Sequence, residues 1–140
     1  MNSFQQPNDN EPGGATWHKV YNPATGWIAN KTSSWVSDRF SSTPTDCLTV
    51  DFSSVVPVGT KAVLVTVDEA TADGYVFARP GGDTNYSNTP YASAEWSALI
   101  CRARGSYRVM LWLSSTYTVD LAVTDTAVDL YVSYPVGYLL

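Results

Sequence analysis

From Trp17 to the end, the chain is written in short runs whose apolar residues recur at every second position, separated by clusters of Pro, Gly, Asn and Ser. A period of two places successive side chains on opposite faces of an extended backbone. No stretch sustains a helical period, so the pattern points to antiparallel sheets packed face to face. The runs recur at intervals close to the ~8–12 residues expected of sandwiches and barrels. In Thr60 to Val67, Val63, Val65 and Val67 share one phase, and Ala62, Leu64 and Thr66 the other. Both phases are largely apolar, which predicts a central strand covered on both sides.

The turn signals divide the rest. Trp17 to Tyr21 predicts a first strand, stopped by Asn22-Pro23-Ala24-Thr25-Gly26, with a return at Trp27 to Ala29. Trp35 to Phe40 is another short extended piece. Cys47 to Phe52 runs into a stop at Pro57 and Gly59, and Gly74 to Arg79 closes at Pro80-Gly81-Gly82. Ala98 to Arg104 and Tyr107 to Leu113 flank Gly105-Ser106, which predicts a hairpin with a two-residue link. Tyr117 to Val123 and Val128 to Tyr134 predict a second hairpin, broken at Asp125-Thr126. There a slip of one residue would bury Asp120 and Asp129. About eight such strands predict an all-β, antiparallel sandwich of jelly-roll type.

At 140 residues the chain fits one domain. Residues 1–16 hold one bulky apolar side chain, Phe4, and read as a flexible arm before a sandwich domain over 17–140. The arm is either a leader without a role or a segment that orders against a neighbouring subunit. The start lacks the basic patch and apolar core of a secretory signal, so classical export is not expected. No apolar run approaches the ~20 residues of a spanning helix, so no membrane partner is expected. A net charge of -5 and a pI near 4.5 repel phosphate backbones, which argues against nucleic acid. Cys47 and Cys101 lack zinc or redox spacing and read as buried free thiols rather than a disulfide.

Reactive groups are sparse. His18 is the only histidine, and beside Trp17 in the first strand it reads as a structural side chain. Asp68-Glu69, or Asp83 with Glu95, are the carboxylate pairs open to glycoside hydrolysis, but adjacent residues on a strand face opposite ways. Asp68, Asp73 and Asp83 lack the regular oxygen spacing of a calcium loop. We therefore expect no catalytic residues, no metal and no cofactor. Aromatic residues are more telling, with five Trp and nine Tyr. Tyr86, Tyr91 and Trp96 flank the long stretch Asp83 to Glu95 and are candidates for stacking on a ligand. Trp27, Trp35 and Trp112 are expected to fill the core. Arg102, Arg104 and Arg108 cluster across Gly105-Ser106, either to pair with acidic groups on a neighbour or as a solvated tip that discourages edge pairing. Tyr138, Leu139 and Leu140 end the chain in an apolar tail, which either tucks back or docks into a partner.

Asp51-Phe52-Ser53, the run Val56-Pro57-Val58-Gly59-Thr60-Lys61-Ala62-Val63, Ala78-Arg79-Pro80 and the closing Gly137-Tyr138 resemble small β-sandwich proteins of tailed-phage structural gene clusters. The resemblance covers roughly residues 45–140 and carries no active-site residues. It implies a virion component, either a capsid decoration or cement protein or a fibre module, commonly trimeric. On the cement reading, the protein sits on the capsid surface and binds the major capsid protein and copies of itself. Its arm laces adjacent subunits together. The alternative is a carbohydrate- or receptor-binding module, with a glycan stacked on Tyr86, Tyr91 and Trp96.

Overall fold

The computed structural model describes residues 15–32, 35, 40, 47–83 and 98–140. Among the described residues the strands are β1 (Trp17–Lys19), β2 (Trp27–Lys31), β3 (Leu48–Asp51), β4 (Ala62–Ala70), β5 (Val76–Pro80), β6 (Ala98–Cys101), β7 (Gly105–Trp112), β8 (Thr118–Val123), β9 (Asp129–Ser133) and β10 (Gly137–Leu139). All pairings are antiparallel and build two sheets. Sheet A runs β1-β10-β4-β9-β2, with β7 along the other edge of β4, and sheet B runs β3-β8-β5-β6.

Two pairs of strands in sheet A are interrupted versions of one. Pro135 has no N–H to donate, so the ladder between β9 and β4 breaks there and resumes where Val136 N donates to Leu64 O at 2.9 Å. Ser133 Oγ fills the gap, accepting from Thr66 N at 2.8 Å and donating to the Tyr134 carbonyl at 3.0 Å. β1 and β2 follow β10 and β9 in turn, so they too form one edge strand, pushed out at residues 20–26. With β1/β2 counted as the first strand and β9/β10 as the eighth, the sheets read 1-8-3-6 and 2-7-4-5. That order nests two Greek keys, as in jelly-roll sandwiches.

The alternating phases supply the core. Val63, Val65, Val67, Leu111, Leu130 and Val132 of sheet A meet Val50, Val76, Ala78, Val119, Leu121 and Val123 of sheet B in one buried cluster. Trp35 joins it, its indole Nε1 donating to the Val128 carbonyl at 2.7 Å. Cys47 and Cys101 are both buried, and neither is in a disulfide. Burial pushes the Cys101 thiol up to about 12, and the charges of Glu69 and Asp68 add to the rise.

Several local expectations are corrected. Trp27 to Lys31 does not return along the first strand but continues it. Gly105-Ser106 is no hairpin link: the chain bends at 102–104, and β6 and β7 lie in different sheets. The β8–β9 pair is likewise not a hairpin, because β8 belongs to sheet B and β9 to sheet A. β4 is central as expected, yet its outer phase, Leu64, Thr66 and Asp68, is only half-buried. Trp27 and Trp112 are not core residues; they are 45% and 51% exposed because they fall in the outward phase of their strands.

Leu121 is fully buried between the sheets. Leu121→Ala should therefore cost about 2–5 kcal/mol in urea denaturation. A loss under ~1 kcal/mol, the range of surface changes, would contradict its central place in the core.

Candidate functional site

The two outer faces of the sandwich differ. On sheet A the register sets out rows of side chains across the strands: Trp17, Leu139, Ala62 and Trp112 in one, Lys19, Gly137, Leu64 and Met110 in the next. Beyond them lie Thr66 and Arg108, then Asn30, Tyr131, Asp68 and Ser106. Met110 is 41% exposed, close to the figures for Trp27 and Trp112. The Trp27 ring lies tilted against Tyr131 at 5.4 Å. Arg108 Nε donates to Thr66 Oγ1 at 3.2 Å, and Ser106 Oγ to Asp68 Oδ1 at 2.8 Å, so the polar end of the face is held in place. Apolar surface of this kind on a flat sheet is costly to leave in water and marks interaction sites.

On sheet B the outer phase is covered at Phe77, Arg79, Asp120 and Ala122 of the central strands β5 and β8, while Thr49, Asp51 and Leu99 on the flanking strands are exposed. Phe40, Phe77 and Ala122 form a second small cluster, and the Arg79 guanidinium lies 4.9 Å from the Phe40 ring. Beside it Asp120, which alternation alone would put in solvent, is buried. Its Oδ2 accepts from Arg79 Nε and from Gly82 N, both at 3.0 Å, and its Oδ1 from Thr49 Oγ1 at 2.7 Å. A cleft of about 620 Å³ opens over this pair, lined also by Cys47, Leu48, Gly81, Thr116 and Thr118.

The residues singled out by sequence fall in several places. Arg104 is tied to Asp73, whose Oδ1 accepts from the Arg104 backbone N–H at 2.9 Å and from its Nε at 3.4 Å. That backbone N–H holds the Asp73 carboxyl below its usual range, and the guanidinium adds to the effect. Arg102 lines a shallow cleft with Asp73, Gly74, Tyr75, Thr124 and Asp125, while Arg108 stands on the outer face of sheet A. The three arginines thus serve different surfaces. The tail tucks in: Tyr138 and Leu139 pair with β1 and β4, Tyr138 stacks on His18 at 5.2 Å, and Leu140 exchanges both backbone hydrogen bonds with Thr16. Leu140 itself stays 41% exposed. Phe4, Tyr86, Tyr91 and Trp96 lie outside the described residues. Among the described residues, no three His, Cys, Asp or Glu side chains group to hold a metal ion.

Two features were missed in the sequence. Trp112 shares the phase of Arg108, and that polar companion was the available sign of its exposure. Glu69 is the other. It continues the inward phase of Val63, Val65 and Val67, and is 1% exposed at the end of the core. Its Oε1 accepts from Gly74 N at 2.7 Å, but its buried Oε2 has no hydrogen-bond partner among the described residues. Burial pushes its carboxyl up to about 7; the Gly74 N–H pulls the other way, and the charges of Asp73 and Asp125 reinforce the rise.

Because the folded chain holds this proton more tightly than the unfolded one, the contribution of Glu69 is fully present below its unfolded value of 4.5. It is lost as pH rises through about 7. Glu69→Gln should therefore match the parent below pH about 4 and exceed its stability above pH about 8, by roughly 3 kcal/mol. Denaturation curves at the two pH values check this, and equal pH dependence in both proteins would refute it. Compared with known proteins, the chain matches no family model, no curated protein and no solved structure.

Proposed function

We propose that this chain is a structural subunit of a phage virion, a decoration or cement protein that binds over the shell and bridges neighbouring capsid subunits. The observation that carries the reading is the outer face of sheet A, where Trp27, Met110 and Trp112 stand exposed on a rigid, paired scaffold. An anchor of this type works by burying preformed apolar area, and large aromatic side chains on an ordered strand lose little entropy when they dock. Few charges cross the face, so its contacts with a shell would hold at high salt. The sandwich is the unit that presents the face, and the major capsid protein and further copies of this chain, as a trimer, are its partners. Added area at each junction then stabilises the shell by mass action.

In particles that carry this protein, quantitative mass spectrometry should find it in numbers comparable to the major capsid protein; a few copies per particle would overturn the cement reading. Trp112→Ser should weaken rebinding to stripped shells by about 2 kcal/mol, roughly thirtyfold in Kd, with an unchanged denaturation midpoint. Undiminished rebinding would move the contact to another surface.

A further inference from the structure

We propose that the cleft on the outer face of sheet B is a binding site for a neutral, polyhydroxylated ligand, one sugar unit of a glycan. The inference is independent of the shell-binding face, which lies on the opposite sheet.

The argument begins with the cost of the Arg79–Asp120 pair. Both residues are more than nine-tenths buried, at 7% and 3% exposure. Taking two charges out of water costs several kcal/mol per ion and is offset only when the hydrogen bonding is thorough. Asp120 meets that condition with donors from Thr49, Arg79 and Gly82. Arg79 does not. Its Nε is spent on Asp120 and its Nη1 donates to the Asp83 carbonyl at 3.0 Å, while Nη2 has no hydrogen-bond partner among the described residues. A guanidinium has five N–H donors in a fixed fork. Part of that fork remains open in a residue that lines the cleft. Among the described residues Glu69 Oε2 is the one buried side-chain polar atom without a partner, so the open Arg79 donors face the cleft, where an acceptor arriving from outside can meet them.

The chemistry of the lining selects the class of acceptor. Asp120 neutralises the Arg79 charge at 3.0 Å, so the site has little net attraction for an anion, and the chain as a whole carries -5. The rest of the lining offers hydroxyls from Thr49, Thr116 and Thr118, backbone at Gly81 and Gly82, and an apolar wall of Cys47 and Leu48 against which the C–H face of a sugar ring can pack. Thr118 Oγ1 lies 2.8 Å from Ser114 Oγ and 3.4 Å from Thr116 Oγ1, forming a chain of hydroxyls able to donate or accept. Hydroxyls of a sugar both donate and accept, and match such a lining where a carboxylate or phosphate would not. The shape agrees. A Cβ on Gly81 would meet Thr118 Oγ1 at 1.9 Å, so glycine lets the 80–82 turn pack closely on β8. At Gly82 a Cβ would meet none of the described residues within 4 Å. The volume of about 620 Å³ lies within the ~300–1,000 Å³ of small-molecule sites.

The test uses the full chain and free glucose, galactose, mannose and N-acetylglucosamine as probes, titrated by amide NMR at millimolar concentration. At least one sugar should give saturable shifts at Thr49, Gly81, Gly82 and Thr118. Arg79→Lys keeps a cation beside Asp120 but removes the open fork, and should weaken binding about tenfold or more. Thr116 is exposed on the rim, so Thr116→Trp fills the cleft without touching the ion pair. It should abolish the shifts while leaving the thermal midpoint unchanged, which keeps the test valid if Arg79→Lys fails to fold. Silence from all four sugars, binding that survives Thr116→Trp, or saturable shifts with inorganic phosphate in place of the sugars would each overturn the proposal.

Discussion

The whole molecule depends on burial between two sheets that the chain visits alternately. β2 leads to β3, β3 to β4, β4 to β5, β6 to β7, β7 to β8 and β8 to β9, each time from one sheet to the other. Among the described strands, β5 and β6 are the only successive ones that pair. None of these strands is joined to its partner by a tight turn that could form first. Every ladder hydrogen bond outside that pair joins segments remote in sequence, and each becomes worthwhile only when the Val and Leu side chains of both inner faces leave water together. Topologies of this kind fold slowly, since loop closure must precede the contacts that offset it.

The same arrangement frees the outer faces for different uses. Sheet A turns its central strand outward with half-buried Leu64 and Thr66 and flanks it with exposed Met110 and Trp112. Sheet B is capped by Phe40 and holds a buried ion pair. An ion pair in that position is a poor source of stability, because apolar residues of equal volume would hold the face together at least as well. Its value is in fixing polar atoms at defined positions. Gly82 N and Thr49 Oγ1 both point to Asp120, which ties the 80–83 turn and β3 to β8.

Much of this was legible in the alternation. For β8 and β9 the slip argument set Asp120 and Asp129 opposite the apolar phase that fills the core, since a period of two fixes relative facing whatever the partner strand. Pairing was not legible. Gly105-Ser106 between two β-rich runs has the form of a hairpin, yet the sheet change happens at Arg102 to Arg104, and Gly105 begins β7 with φ +146°, a conformation suited to glycine. The clearest lesson comes from one repeated motif. Val119-Asp120-Leu121 and Val128-Asp129-Leu130 are near-identical locally, and both place their apolar residues in the core. Asp120 is buried against Arg79 while Asp129 stays half-buried, its Oδ2 accepting from Thr71 Oγ1 at 2.5 Å. What covers the outer phase of a strand is decided by segments far away in sequence, so burial of that phase cannot be read from the strand itself.

The two buried acids show how the fold handles charge with few counter-ions. Asp120 is supplied with three donors and sits as an ion beside Arg79. Glu69 receives one donor, faces the negative neighbours Asp73 and Asp125, and keeps its proton to near neutrality. Burial raises the Glu69 carboxyl because a single hydrogen bond is offered to its charged form. Asp120 lies at the cleft, and Glu69 at the end of the core. Among the described residues, Asp120 is the one buried carboxylate whose oxygens are both met by donors, and it holds Arg79 at the edge of the cleft.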